Sequence, residues 1–324
     1  MPHARGRPRR PDAGAHTVTD PSSTDGHHRS FGVEGVRLGH WTHQEAQTGC
    51  TVVEFPEDTV ASCEVRGGAP ASRELDLLAP DKTVTRVDAV LLTGGSAYGL
   101  AAADGVLRYY EERGRGVATP AGVVPIVPAM ALFDLAAGDS TIRPTSEAGY
   151  LAAQATRGEQ QLTGAVGAGT GAYVSQWRGP GGRRRGGLGY AEHRLGDLTV
   201  GALCAVNAFG DIDDGRGDIT FDAVRALEAP FALTPDRAHT TIGVVVTNAR
   251  LDKTGCRIVA QGAHDGLSRA LTPPHTRFDG DGFVAAATGH VSAPVDTVRM
   301  LALAAVTHAV RGLANTTDPG PPDG

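Results

Sequence analysis

The stretch RAHTTIGVVVT, residues 237–247, changes character halfway along its length. A polar segment ends in two threonines, and Thr241–Val246 (TIGVVV) then reads as a buried, β-branched strand. Leu198–Ala208 (LTVGALCAVNA) is a second long apolar run of the same kind, with Asn207 closing it. Working outward, Cys50–Phe55, Val87–Thr93 and Phe283–Thr288 read as further strands. Helices are expected over Tyr98–Arg113, Glu147–Ala155, Asp252–Leu271 and Asp296–Leu313. In the first, Leu100, Ala103, Val106, Leu107 and Tyr110 share one face. In the last, Pro294 precedes the start and Val298, Leu301, Ala302, Ala305, Ala309 and Leu313 recur at helical spacing. Strands and helices mix without strict alternation. That favours stacked sheets covered by helices, an α+β sandwich, over a doubly wound parallel sheet.

Composition narrows the functional classes. The 324 residues carry a net charge of −6, so no general electrostatic attraction to nucleic acid or to an anionic membrane is expected. No apolar run reaches the ~18 residues that a membrane span needs. Cys50, Cys63, Cys204 and Cys256 are scattered without a C-x-x-C pair, so buried reduced thiols and a cytoplasmic location are expected. Residues 1–30, with Arg5, Arg7, Arg9 and Arg10, lack the apolar core of a signal peptide and read as a disordered arm. Residues 315–324 read as a disordered tail, leaving one domain over 31–314.

Several motifs resemble chemistry without the required pattern. Val90–Leu100 (VLLTGGSAYGL) has the strand–turn–helix setting of a G-x-S-x-G nucleophile elbow, but Tyr98 stands where the last glycine belongs. Ser96 is expected to cap the helix or face substrate instead. Gly164–Ala172 (GAVGAGTGA) spaces Gly167, Gly169 and Gly171 at period two, not as G-x-G-x-x-G. Alternating glycines suit close backbone packing, or a loop that offers N–H groups to an oxyanion. The 12 histidines form no H-E-x-x-H or similar spacing, so neither a metal site nor an organic cofactor is implied. Arg178–Gly187 (RGPGGRRRGG) reads as an exposed, basic, solvated turn.

Three segments are weak alone and informative together: RAHTTIGVVVT (237–247), HTRFDGDG (275–282) with Asp279 and Asp281 around a turn glycine, and AVNAFGD (205–211). With GGSAYGLAAADGV (94–106), PAMALFDL (128–135), GAVGAGTGA (164–172) and AHDGLSRAL (263–271), they are collinear pieces of one pattern. The chain resembles the self-cleaving DmpA-type aminopeptidases (L-aminopeptidase/D-esterase and β-aminopeptidase) and their relative NylC, a 6-aminohexanoate-oligomer hydrolase. The resemblance runs from about Gly35 to Leu313. The D-G-D pair and the threonine at the cleavage position look closer to the nylon-hydrolase branch.

The resemblance implies a four-layer α-β-β-α sandwich, also shared by an ornithine acetyltransferase family. It implies scission between His239 and Thr240 into an α chain ending at 239 and a β chain beginning at 240. Thr240 is then the nucleophile. A threonine hydroxyl needs an adjacent base, and the α-amine freed by the cut, titrating near ~8, can serve. The same resemblance implies an oxyanion donor at Asn207, and Asp279 and Asp281 orienting the nucleophile. Gln176 stands at the family lysine, His239 at the family asparagine and Gly282 where relatives often carry Ser or Thr. Phe133 occupies an aromatic position that is Tyr in some relatives; with Tyr98 it is a candidate substrate contact. Arg183, Arg184 or Arg185 folding back is a way to restore the lysine's charge. A small peptide or amide substrate and a homo-oligomer, a tetramer by family resemblance, are expected. An acyltransferase of the ornithine-acetyltransferase type and a non-catalytic binding or scaffold protein remain as alternatives, the second motivated by Gln176 and Phe133.

Overall fold

The computed structural model describes residues 31–215 and 239–315. The arm expected over 1–30 and the tail from 316 lie outside the described residues; Asn315 itself ends a 3-10 turn begun at Gly312. Two five-stranded sheets form the centre. Their strands in chain order are β1 (Arg37–His43), β2 (Thr48–Glu54), β3 (Val60–Val65), β4 (Ala71–Arg73), β5 (Ala89–Thr93), β6 (Ala129–Ala131), β7 (Gly187–Leu195), β8 (Leu198–Asn207), β9 (Thr240–Ala249) and β10 (Gly282–Val291). One sheet has the order β1-β2-β5-β6-β4, the other β7-β8-β9-β10-β3. Helices α1 (Ser96–Gly99), α2 (Ala102–Glu111), α3 (Ser146–Ala155), α4 (Lys253–Ser268) and α5 (Val295–Arg311) complete the frame.

Side-chain alternation explains the layering. In β9, Ile242, Val244 and Val246 point into the core between the sheets, whereas Val245 and Ala249 point to the layer of α4 and α5. β8 divides likewise, with Leu203 and Ala205 inward and Val200, Ala202, Cys204 and Val206 toward the helices. Both faces are covered, so these strands read as continuous apolar runs. On the far side, Cys50, Val52, Ala89 and Leu91 pack on α2 and α3. The result is the expected four-layer α-β-β-α sandwich.

Local details depart from the sequence reading. The helix expected over 98–113 is divided into α1 and α2 at Leu100–Ala101. Ser96 is not a cap: Gly95, in the left-handed region at φ +79°, precedes the helix, and no side chain caps it. Ser96 itself sits at φ +53°, which leaves its hydroxyl unsuited to the capping geometry. The glycine-rich segment 164–172 packs closely and offers little to an external anion. A Cβ at Gly169 would lie 2.3 Å from Leu188 N, and the Gly167 and Ala168 N–H groups donate to Thr42 and Thr51 hydroxyls at 2.8 and 3.0 Å. All four cysteines are buried and unpaired, and burial pushes the Cys63 thiol up to about 11. No helix among the described residues is long and apolar enough to cross a membrane.

Candidate active site

Strand pairing brings distant segments to one end of the second sheet. β8 and β9 are antiparallel with Asn207 opposite Thr240, so the last residue of one strand faces the first of the other. β9 and β10 are parallel with Ile242 opposite Gly282, so the residues just before β10 lie beside those just before Ile242. A parallel bridge between His239 and Asp279 extends this pairing. Topology thus gathers Asn207, His239, Thr240, Asp279 and Asp281, which the sequence separates by up to 74 positions. Asn207, His239, Thr240, Asp279 and Asp281 are all buried.

At the His239–Thr240 peptide bond, the Thr240 hydroxyl donates to the His239 carbonyl at 2.5 Å. The same carbonyl accepts from the Gly280 N–H at 2.9 Å. Gly280 also leaves room for the hydroxyl, since a Cβ there would lie 2.9 Å from Thr240 Oγ1 and from Ala69 O. Sequence reading missed Gly280 because a backbone donor has no residue signature.

The two acids hold different partners. Asp281 Oδ1 accepts from the Thr241 N–H at 2.7 Å. Its Oδ2 accepts from the His275 N–H at 3.1 Å and pairs with His275 Nδ1 at 2.8 Å. Asp279 Oδ2 accepts from the Thr276 N–H and hydroxyl at 2.7 and 2.5 Å, and the Phe209 N–H also donates to this carboxylate. Burial first, then the neighbouring Asp281 charge, raises Asp279 to about 7 despite these donors. Neither carboxylate is hydrogen-bonded to the Thr240 hydroxyl in the continuous chain. A strap after β3 fixes their backbone: the Arg66 and Ala69 N–H groups donate to Asp281 O and Asp279 O at 3.0 and 2.9 Å. Gly67 permits this approach, because a Cβ would lie 2.2 Å from Asp279 O. His275, Thr276 and the 66–69 strap were not singled out from sequence.

Asn207 is held at both ends. Its Nδ2 donates to Phe133 O at 2.8 Å, and its Oδ1 accepts from the Tyr173 N–H at 3.0 Å and Gln176 Nε2 at 3.1 Å. The amide therefore lies beside the His239–Thr240 bond with its donor toward Phe133, not toward the His239 carbonyl. Gln176 Nε2 reaches Tyr173 O at 3.1 Å as well, so the residue at the expected lysine position braces Asn207.

Phe133, Gln176, Asn207 and His239 line an open cleft of about 200 Å³, together with Asp134, Tyr173, Arg183 and the small residues around them. Asp134 is buried, accepting from Thr48 Oγ1 at 2.7 Å and the Gly95 N–H at 2.6 Å, and desolvation raises it to about 6. Tyr98 does not join the lining; it is 63% exposed with the Arg143 guanidinium over its ring. The basic loop is more ordered than a solvated turn. Arg178 makes a bidentate pair with Asp211 at 2.9 and 2.7 Å, and Arg185 donates to Gln47 at 2.8 Å. Arg183 folds over the Tyr173 ring, 4.2 Å from its centre.

The model of peptidase family S58 matches residues 31–319. An uncharacterized aminopeptidase of Mycobacterium leprae is 43% identical over 293 residues, covering 81% of this chain and 78% of the relative. A 6-aminohexanoate-oligomer endohydrolase of Kocuria sp. is 27% identical over 282 residues, covering 82% and 76%. Among solved structures, the L-aminopeptidase D-Ala-esterase/amidase from Ochrobactrum anthropi, described as a variant of the Ntn hydrolase fold, superposes with a TM-score of 0.68. It shares 20% identity, over 88% of this chain and 85% of that one. The β-aminopeptidase of Burkholderia sp. gives 0.63 at 22% identity, over 86% and 84%. The chain belongs to peptidase family S58.

Proposed function

We propose that this amide hydrolase matures by cutting itself between His239 and Thr240 and then uses Thr240 as an N-terminal nucleophile. The observation that carries the reading is the Thr240 hydroxyl lying on the His239 carbonyl while the Gly280 N–H polarises that same oxygen. In the first step Thr240 Oγ1 attacks the His239 carbonyl carbon, and the Gly280 N–H stabilises the developing oxyanion. Collapse breaks the C–N bond and leaves an ester to Thr240 with a free α-amine. Water then hydrolyses the ester, giving chains 1–239 and 240–324, which stay associated in one catalytic unit over 31–314. The new amine takes the hydroxyl proton when Thr240 attacks an external amide. The substrate acyl group passes to Thr240 and then to water.

In this reading Asp281 positions the nucleophile through the Thr241 N–H, and Asp279 holds the loop that carries the Gly280 donor. Asn207 is the further oxyanion donor, through the Nδ2 hydrogen that Phe133 O does not occupy. Phe133 meets substrate in the cleft, and Tyr98, outside the described lining, is left without a role. The names of the relatives support small peptides or amide oligomers as substrates. The unpaired thiols support the cytoplasm, and a homo-oligomer completes the reading.

Thr240→Ala and Thr240→Ser test it. The alanine variant is expected to remain a whole chain without amidase activity, and the serine variant to cut itself. Cleavage of the alanine variant at the same bond at the wild-type rate would overturn the assignment.

A further inference from the structure

We propose that His275 is a positioning residue for Thr240: it holds Asp281 against the start of β9, and its loss slows both self-cleavage and amide turnover. The inference rests on Thr240 as nucleophile and adds the support behind Asp281. A carboxylate that is 2% exposed must find its donors inside the protein. One oxygen of Asp281 accepts from the Thr241 N–H at 2.7 Å, which fixes the residue next to the nucleophile. The other oxygen meets two groups of a single residue, the His275 N–H at 3.1 Å and its ring Nδ1 at 2.8 Å. Asp281 accepts backbone N–H groups on both oxygens, so it is the acceptor and Nδ1 carries the hydrogen between them.

Both contacts depend on an uncommon backbone conformation. His275 sits at φ +55°, in the left-handed region, where its N–H and its ring reach the same oxygen. A side chain stays in that region only where its surroundings fix it, and histidine, asparagine and aspartate enter it more readily than most. The ring is fixed from behind as well. Its Nε2 lies 3.4 Å from Ser268 Oγ at the end of α4, and that hydroxyl donates to His264 O at 3.0 Å. The buried His264 ring packs edge-on against His275, centre to centre 4.9 Å, and is itself tied to Glu64 O at 2.9 Å. A continuous series therefore runs from α4 through His275, Asp281 and the Thr241 N–H to Thr240. His275 stands outside the described cleft lining, so its loss is expected in kcat and not in KM.

Asparagine and aspartate at position 275 separate the donor from its shape. The two are nearly isosteric and both accept positive φ, but only asparagine offers an N–H where Nδ1 stands. Self-cleavage is read as the half-time for loss of full-length chain by intact mass, and turnover with L-alanyl 4-nitroanilide on the processed protein. His275→Asp is expected to slow self-cleavage and to lower kcat by about tenfold or more, with KM little changed. His275→Asn should recover most of that loss. In His275→Gly, which removes the ring without straining the backbone, added imidazole should restore part of the self-cleavage rate. Wild-type rates in His275→Asp and His275→Gly would overturn the inference. So would a loss carried by KM, or equal losses in the asparagine and aspartate variants with no response to imidazole. If the anilide is not cleaved, self-cleavage alone decides. If the aspartate and glycine variants do not fold, NMR of isotope-labelled histidine in the wild-type protein decides, with the signal assigned by its absence in His275→Asn. A hydrogen on His275 Nδ1 supports the inference, and a bare Nδ1 overturns it. The nucleophile is tested apart by Thr240→Ala. Wild-type cutting in every His275 variant removes the positioning role and leaves Thr240 standing, whereas a wild-type chain that never cuts itself removes both.

Discussion

Two loops approach the His239–Thr240 bond and are held differently. The acidic loop, 275–281, is closed by Thr276 donating twice to the Asp279 carboxylate and by backbone contacts: the 66–69 strap holds both acidic residues by their carbonyls, and Gly280 donates to the His239 carbonyl. The basic loop, 176–185, has backbone anchors of its own, with the Trp177 N–H on Phe209 O at 3.2 Å and Arg184–Arg185 paired with Tyr173–Val174. It adds outward side-chain contacts from Arg178 to Asp211, Arg185 to Gln47 and Arg183 to the Tyr173 ring. A reacting bond needs placement within fractions of an ångström, which short backbone contacts supply. A substrate rim needs a shape and a charge that side-chain exchange can alter without moving the frame. In the proposed reading the acidic loop therefore carries the chemistry, and the basic loop walls the cleft.

The contrast can be broken at Gly280. A methyl group there would sit 2.9 Å from both Ala69 O and Thr240 Oγ1, displacing the donor and the hydroxyl together. Gly280→Ala is expected to slow self-cleavage by about 10²-fold, measured as the half-time for loss of full-length chain. Cleavage at the wild-type rate would show that the loop is not the rigid element described.

A smaller effect concerns Asp279, raised from 3.8 to about 7 by burial and by Asp281. A carboxyl whose folded-state pKa lies above its unfolded value binds its proton more tightly when folded. Its contribution is therefore complete below about pH 4 and is lost as pH rises toward 7. In the Thr240→Ala background, Asp279→Asn should lessen the fall in stability between pH 5 and pH 8, read from urea midpoints. An unchanged pH slope would remove the buried-acid account.

The smallest effect belongs to the rim. Arg178→Ala breaks the pair with Asp211, but the arginine side chain is 39% exposed and solvent screens it. A loss of about 1 kcal/mol and about 2 °C in Tm is expected, with self-cleavage unaffected. A strong defect in cleavage would mean that the basic loop also holds the reacting bond.

What the sequence revealed follows the same division. β8 and β9 were readable because both of their faces are buried, which writes an uninterrupted apolar run at Leu198–Asn207 and Thr240–Ala249. Asn207, Thr240, Asp279 and Asp281 were found through resemblance, and strand pairing explains why residues so far apart share one sheet end. Gly280 and the strap at 66–69 act through backbone atoms, which no residue type announces. Ser96 was misread as a cap because the left-handed turn at Gly95 is a conformational fact, not a compositional one. Arg183 was one of three adjacent arginines; Arg185 shares its contact with the Tyr173 ring, and its place in the cleft lining is what distinguishes Arg183.

The most direct measurement is the intact mass of the purified protein with N-terminal sequencing of its pieces. The account predicts that the 33.4 kDa chain resolves into fragments of about 25 and 9 kDa, the smaller beginning Thr-Thr-Ile-Gly. A single uncut species that nevertheless hydrolyses amides, or a cut elsewhere, would contradict Thr240 as the N-terminal nucleophile.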